Sequence, residues 1–420
     1  MSPGELPPVD PGRLWAQLSR LAEFREPDQP GWTRRVFSEP YGAAREWLSQ
    51  EMAEAGLRVT RDAAGNLVGE TDGEPGRAGI AIGSHTDTVI GGGRFDGTLG
   101  VLGAIEVARL LRQSGRRLRH PLRVVDFLGE EPNRFGLSCL GSRAVAANLD
   151  APALELRDQA GETLGSALER IGVRPQGLAA AAWSGPGLHA YFELHIEQGT
   201  RLERAGLALG VVTTICGIHR ARVALTGRPD HAGTTAMGER RDALALAAQL
   251  VLLVEELASQ EVAGARGVGT VGRLLVGPGA SNVVPGEAEL GLELRSADPR
   301  WLQDRSRALE GAIARLGALR RIETELRWVS TEPPVPCSPR CRELIVTAVT
   351  GLGQQVLELE SGAGHDAAQV ARLGPVGMIL VPSRQGRSHC PEEWTDPDHA
   401  ALGVEALRRT VLEADRAERV

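Results

Sequence analysis

Between Ile218 and Val329 the chain follows an order of patterns that few folds accommodate. Ile218 to Leu225 alternates apolar and polar residues like a strand, and Glu239 to Leu257 has long helical periodicity. Gly269 to Val276 and Glu287 to Arg295 read as two further strands, Pro299 to Leu316 as a helix and Ile322 to Val329 as extended. Strand-helix-strand-strand-helix-strand is the split order of a ferredoxin-like α+β sandwich. The flanks alternate differently. Ala43 to Gly56 reads as a helix ending at a glycine, Gly79 to Ser84 as a buried strand, Leu99 to Gln113 as a helix and Leu122 to Leu128 as another strand. Thr331 to Pro339 is proline-rich and reads as a linker, after which helix and strand patterns resume. These patterns predict one α/β domain, residues 1–213 and 331–420, interrupted by an inserted α+β domain over residues 214–330. A chain of 420 residues has room for that arrangement.

Composition narrows the chemistry. The formal net charge of −7 argues against nucleic acid and anionic membranes as partners. No lysine occurs, so a Schiff-base lysine and a phosphate-loop lysine are both excluded. Five cysteines scattered over a long chain do not make a disulfide framework. Cys337 and Cys341 lack the partners of a zinc knuckle, and Cys139 and Cys216 read as structural. Met1 to Asp10 lacks the basic start and apolar run of a signal peptide, and no stretch approaches the roughly 18 apolar residues of a membrane span. A cytoplasmic protein is expected.

The polar residues that follow the strands carry the chemistry. His85 and Asp87 in GSHTDT end the strand from Gly79. Residues two apart on a strand point to one side, which suits a metal ligand and the carboxylate that orients it. Asp96 in GGGRFDG precedes the Leu99 helix; glycines let its carboxylate turn back toward the strand end, or it is an N-cap. Glu130 and Glu131 form either a solvated turn or the two carboxylates a hydrolase needs, one to hold a metal and one to carry a proton. His195 in ELHIEQG closes the run Leu188 to Ile196, and His389 in RSHCPEEW lies past the strand Met378 to Val381. Three imidazoles and two carboxylates at strand ends suit two divalent ions sharing one carboxylate, about 3.5–4 Å apart.

The segments SHTDTV, GGRFDGTLGVLGAIE, EEPNRFG with LGSR, HIEQG, DHAGTT with RRDAL, SNVVPGE, GAGHDA and SHCPEE run in order from residue 80 to residue 393. With them the sequence resembles the di-metal aminoacylase and carboxypeptidase superfamily, specifically its hydantoinase/carbamoylase branch of N-carbamoyl-L-amino acid hydrolases and allantoate amidohydrolases. The resemblance implies a zinc-peptidase-like α/β catalytic domain whose ferredoxin-like insertion serves as lid and dimerisation domain. It implies that Asp96 bridges two ions (zinc, or manganese, cobalt or nickel), with His85 and His195 on one and Glu131 and His389 on the other. Glu130 would be the general base, Asp87 the partner orienting His85, and His231 an imidazole that polarises the scissile carbonyl. Asn282 and Arg295 would hold a substrate carboxylate, with Gln198, Arg220, His219 and Gly364 as further pocket candidates. Without the resemblance, Asn282 is equally a turn residue, Arg295 a strand-end cation paired with any acid, and His231 a cap for Thr234 and Thr235.

Two residues depart from the branch pattern: His219 stands where relatives often carry glutamine, and Cys390 where asparagine is common. Neither removes a ligand. The implied reaction is hydrolysis of a carbamoyl C–N bond in a small carboxylate-bearing substrate, an N-carbamoyl-L-amino acid first. Allantoate, ureidoglycolate and 3-ureidopropionate fit the same chemistry; an aminoacylase or dipeptidase, or a non-catalytic metal-binding relative, is the alternative. A homodimer through the inserted domain is also implied.

Overall fold

The computed structural model describes residues 7–183 and 187–420; residues 1–6, part of the segment in which no leader is read, lie outside them. The chain forms two compact units, one of Met1–Thr213, Cys337–Leu359 and His365–Val420, the other of Thr214–Pro336 and Glu360–Gly364. In chain order the strands are β1 (Arg58–Arg61), β2 (Leu67–Glu70), β3 (Gly79–His85), β4 (Leu122–Phe127), β5 (Leu188–Ile196) and β6 (Gly210–Ile215). Then come β7 (Gly217–Thr226), β8 (Asp230–His231), β9 (Val268–Gly277), β10 (Val283–Val284), β11 (Glu287–Ser296) and β12 (Glu323–Glu332). The last are β13 (Val335–Pro336), β14 (Leu357–Ser361) and β15 (Val376–Val381).

The sheet of the first unit runs β1-β2-β4-β3-β5-β15-β6. Its middle four strands, β4, β3, β5 and β15, are mutually parallel. Parallel strands covered on both faces read as unbroken apolar runs, and IAI of β3 and VGMILV of β15 are wholly buried. One core joins Ile80, Ile82, Phe192 and Leu194 to Leu18, Leu102, Ile105 and Leu407, from the helices Pro11–Glu23, Thr98–Gln113 and Pro397–Arg416. The backbone of Thr98–Gln113 comes so close to β5 that a Cβ on Gly100 would sit 2.4 Å from the Leu194 carbonyl oxygen. A second core gathers Val36, Tyr41, Leu128, Leu140, Leu164 and Leu168. Helix Glu39–Glu54 starts before the predicted Ala43, because Ser38 caps it by accepting from the Tyr41 N–H and Pro40 opens its first turn. No described helix is long and apolar enough to cross a membrane.

In the second unit the antiparallel sheet runs β12-β7-β11-β9, so its own strands lie in the order fourth, first, third, second. Helices Ala243–Ser259 and Pro299–Arg320 pack Leu246, Leu250, Leu309 and Ile313 against Val223, Leu225, Leu290 and Leu292 on one face. This is the βαββαβ arrangement. The first helix begins at Ala243, not Glu239: Asp242 caps it by accepting from the Ala245 N–H, and Met237–Glu239 is a separate short turn. The second continues past Leu316 to Arg320, since Gly317 is not a stop but a point of close approach, where a Cβ would meet Thr324 Cγ2 at 2.5 Å. The proline-rich segment is no free linker: β12 runs to Glu332, and β13 pairs with Thr214 and Ile215.

Candidate metal centre

Brought together at the carboxyl ends of the four parallel strands are the polar residues singled out above, the position where open α/β sheets bind ligands. His85 ends β3, Glu130 and Glu131 follow β4, His195 lies one residue from the end of β5, and His389 is in the loop after β15. Asp96 comes from the loop before helix Thr98–Gln113. Its oxygens face in two directions: Oδ1 lies 3.1 Å from His195 Nε2 and 3.9 Å from His85 Nε2, and Oδ2 lies 3.0 Å from His389 Nε2. Glu131 Oε1 is 3.2 Å from the same His389 nitrogen. Among the described residues three groups have metal-ligand spacing: His85–Asp96–His195 and Asp96–Glu131–His389, which share Asp96, and Glu193–His195–His365. Asp96 is not the N-cap; Gly97 takes that position with φ of 64°, and a Cβ there would sit 2.4 Å from His85 Nε2.

Two of the rings are fixed from behind. His85 Nδ1 contacts the Asp87 carbonyl at 3.1 Å, and His195 Nδ1 contacts the Ile196 carbonyl at 2.9 Å. A carbonyl oxygen only accepts, so Nδ1 carries a proton and Nε2 is the nitrogen turned toward Asp96. The Asp87 carboxylate lies 3.5 Å from His85 Nδ1 and has a second task. Its two oxygens accept from the Glu130 and Glu131 N–H groups, each at 3.1 Å, tying the β4 turn to the end of β3. Thr86, between the two, donates to Asp126 at 2.9 Å, and its carbonyl accepts from the buried Arg34 at 2.8 Å. Asp126 also holds Arg45 at 2.7 Å. Burial lowers the Arg34 guanidinium to about 10 despite the charges of Asp126 and Asp87.

The electrostatics follow from crowding charge out of water. Burial alone would pull His389 down, but hydrogen bonds to Asp96 and Glu131 raise it to about 11. His85 is likewise held well above the usual range by Asp87, Glu130 and Asp96, against the pull of burial. Burial would raise Asp96, yet the imidazoles of His195 and His389 hold it well below the carboxylate range. Glu130 differs from these. Burial pushes it up to about 8, helped by Glu131, Asp87 and Asp96 and opposed by His85, whose Nε2 is 3.7 Å away. A buried carboxyl poised near neutrality suits a group that takes and returns a proton.

Other residues sit at this cluster without a clear sequence signal. Glu393 is buried and accepts from the Phe95 and Asp96 N–H groups at 2.8 and 3.1 Å and from the Ser388 hydroxyl at 2.7 Å. It ties the loop bearing Asp96 to the loop bearing His389. Glu193 is taken up by Ser84, Tyr191 and the Ala367 N–H. Its spacing of two from His195 on β5 was the one available hint. Asp366 accepts from Ser142 at 2.5 Å, and burial with Glu130 and Glu193 keeps it well above the carboxylate range. Gln198, expected in a substrate pocket, donates to Asp96 Oδ2 at 3.1 Å and Ser388 Oγ at 3.2 Å, with a positive φ of 57°.

The candidates in the second unit separate by strand alternation. Arg220 and Arg295 lie on the open face and are held by one acid, Glu293, at 3.1 and 2.7 Å. Glu293 and Arg220 are direct cross-strand partners, and Arg295 also donates to the Gly362 carbonyl at 3.2 Å. Gly364 lies beside Ile218 on that side, where a Cβ would come 3.3 Å from the Ile218 side chain. His219 is the exception. It points the other way, its Nδ1 2.9 Å from Ser306 Oγ on helix Pro299–Arg320 and its ring edge against Trp328. One residue of strand phase separates it from Arg220, so it does not belong with the candidate carboxylate site. His231 and Asn282 are neighbours: His231 pairs with Val283 across β8 and β10, and the Ala232 N–H donates to the Asn282 carbonyl at 3.0 Å. His231 Nδ1 accepts from the Gly233 N–H at 3.0 Å, which leaves its N–H on the exposed Nε2.

Residues 80–413 match the peptidase family M20/M25/M40. The chain belongs to that family. It is 39% identical to the N-carbamoyl-L-amino acid amidohydrolase of Geobacillus stearothermophilus, over 97% of this chain and 99% of that one. It is 35% identical to the ureidoglycolate hydrolase of Arabidopsis thaliana, over 96% of this chain and 86% of that protein. Its fold superposes on the crystal structure of a hydantoinase/carbamoylase family amidase from Burkholderia vietnamiensis with a TM-score of 0.89, at 34% identity and covering 97% and 98% of the two chains. Enzymes of the M20 family are metal-dependent, and the two ligand groups around Asp96 are the candidate place for metal here.

Proposed function

We propose that this chain hydrolyses the carbamoyl C–N bond of an N-carbamoyl-L-amino acid, using two divalent cations. The observation that carries the reading is Asp96, whose two oxygens face imidazole Nε2 atoms on opposite sides. On His195 the other ring nitrogen, Nδ1, is engaged by a carbonyl, which leaves Nε2 as the nitrogen that can ligate. A carboxylate set among imidazole nitrogens calls for a cation, a proton on a ring or a metal ion, and this mixed nitrogen and oxygen donor set fits metal. His85 and His195 would hold one ion, Glu131 and His389 the other, and Asp96 both. Mixed nitrogen and oxygen donors suit zinc or manganese, and cobalt or nickel also accept such a set. Bound there, such ions would supply Lewis acidity toward the scissile carbonyl and lower the pKa of water.

Glu130 takes the proton of the attacking water and returns it to the departing nitrogen, a cycle that a carboxyl poised near neutrality serves. Asp87 holds Glu130 by its backbone and orients His85. His231 offers its exposed N–H to the developing oxyanion, while Arg295 and Arg220, oriented by Glu293, and Asn282 receive the substrate carboxylate. The products are ammonia, carbon dioxide and the free amino acid.

We further read the second unit as a lid and as the dimer contact. Val268 and Leu275 on β9 and Leu252 on helix Ala243–Ser259 are exposed apolar residues, and β9 is a sheet edge. Light scattering of the purified protein should give twice the chain mass, and a monomer at micromolar concentration would remove the dimer from the proposal. A ureidoglycolate or allantoate substrate is the second reading, favoured by the Arabidopsis relative. Ammonia release from N-carbamoyl-L-amino acids, allantoate, ureidoglycolate and an N-acetyl amino acid separates the three classes. Turnover of the N-acetyl compound alone would move the chain to the aminoacylases. Glu130→Gln should lower kcat by at least about a thousandfold with metal content unchanged, and an active variant would refute the role of Glu130.

A further inference from the structure

A cavity of about 550 Å³ opens beside the candidate metal centre, entirely within the first unit. Asp87 and Glu131 form part of its wall, so it borders the candidate metal centre. Its other walls mix an apolar side, Val36 and Phe37 from the segment before helix Glu39–Glu54 with Val89 and Ile90 from the segment after His85, with the polar Ser38, Thr88 and Asn133. Ile90 is 55% exposed, the most exposed of the described large apolar residues of the first unit. One exposed isoleucine is ordinary by itself; here it stands on the rim of a cavity with Val89, Val36 and Phe37, so an apolar group entering the cavity would cover it.

Charge decides what kind of partner. Two arginines, Arg35 and Arg134, also line the cavity, but neither is a free cation. Arg35 is paired with Glu26, and Arg134 with Asp158 at 3.3 Å and with Glu162. The acids on the catalytic side, Asp87 and Glu131, would repel an anionic group. A cavity of this size with one apolar side is within the range that holds a small ligand.

We infer that this cavity receives the side chain of the substrate amino acid, and that it selects bulky apolar side chains, aromatic or long aliphatic, over small and acidic ones. The inference rests on the proposed carbamoyl hydrolysis and names the substrate class within it. It makes Val89 and Ile90 specificity-determining residues, and ureidoglycolate, which has no side chain to fill the cavity, a poor substrate.

The test is a kcat/KM series for the metal-loaded enzyme on the N-carbamoyl derivatives of L-phenylalanine, L-leucine, L-alanine, glycine and L-aspartate. The wild type should prefer phenylalanine and leucine over glycine by at least about tenfold, with aspartate the poorest. Ile90→Asp should lower the phenylalanine-to-glycine ratio at least about fivefold, and Ile90→Trp, which fills the cavity, should move the optimum toward alanine. Ile90 is exposed, so both variants should fold, and circular dichroism checks that they do. Equal efficiency on glycine or aspartate, or ratios unmoved by both substitutions, would overturn the assignment of the cavity while leaving carbamoyl hydrolysis intact. No turnover of any carbamoyl compound would overturn the proposed function and this inference with it.

Discussion

Glu393 joins the two loops that carry Asp96 and His389, and its removal has a size that follows from its contacts. In Glu393→Ala the Phe95 and Asp96 N–H groups lose their shared acceptor in a buried place. Each orphaned donor costs about 1–3 kcal/mol. Ser388 loses a bond of 2.7 Å but still has Asp96 and Gln198 within reach. One effect opposes the loss in the metal-free protein, because burial and the Asp96 charge push the Glu393 carboxyl up to about 7. A carboxyl with a raised folded pKa costs the fold stability as pH rises from the ordinary carboxylate range through about 7, and alanine escapes that cost. That cost is about 3 kcal/mol at pH 7, so the net destabilisation without metal is at most about 3 kcal/mol, which lowers Tm by no more than about 5 °C in a chain of this size. Cations neutralise the repulsion, so the deficit should be larger in the metal-loaded protein, with metal affinity at least about tenfold weaker. Glu393→Gln keeps a carbonyl oxygen for the two N–H groups and should lie close to wild type. Thermal melts with and without zinc or manganese, together with chelator competition, read these quantities. An alanine variant with wild-type Tm and affinity, or a glutamine variant as damaged as alanine, would refute the reasoning.

Gly97→Ala places a methyl against the His85 ring at a positive-φ position, and should cost about 1–3 kcal/mol of stability and weaken metal binding about 10–100-fold in the same competition assay. Glu293→Gln releases the two arginines it orients, and should raise KM about tenfold or more while kcat changes less than threefold; a change confined to kcat would contradict a carboxylate-binding role. His189, stacked on His120 at 3.9 Å, is lowered first by burial and then by the His120 charge, against a hydrogen bond to Ala414. A lowered folded pKa makes its contribution complete above the unfolded value near 6.5 and lost as pH falls below it, so the wild type should lose Tm between pH 7 and 5 more steeply than His189→Gln.

The legible parts of the molecule were those where one local pattern decides the outcome. Parallel strands buried on both faces, such as β3 and β15, announce themselves as apolar runs, and the residue after such a run is at a strand end whatever the topology. That is why His85, Glu131, His195 and His389 could be singled out and why the structure gathers them. Strand alternation also made the βαββαβ order of the second unit readable. The alternation that should have separated His219 from Arg220 was present in the same stretch, but motif position put them in one pocket. Glu293, two residues from Arg295, was missed because an acid on an alternating strand looks like ordinary solvent-facing charge until its cross-strand partner is known. The second core, from Val36 to Ala181, is built on short helices such as Leu140–Val145 and Leu164–Arg170, too brief for a periodicity to show.

What the sequence could not display is how the ends of separate strands are held in register, and there the structure uses charge where none is exposed. Arg34 and Arg45, both fully buried, spend their donors on the Thr86 carbonyl, on Asp126 and on backbone oxygens, with Arg34 also reaching Leu21 and Phe24. Thr86 stands between His85 and Asp87, so this network fixes the orientation of the imidazole on one side and of the Glu130–Glu131 turn on the other. Guanidinium suits this role because its planar fork satisfies several carbonyl and carboxylate acceptors at once, which an ammonium on a flexible stem does not. Burying such charges is expensive and would be a poor route to stability alone. It makes sense where the return is placement: three imidazoles and two carboxylates with like charges crowded together would drift apart unless the backbone beneath them were pinned. The cost of the buried arginines and the cost of the crowded acids are therefore linked, and the first makes the second tolerable.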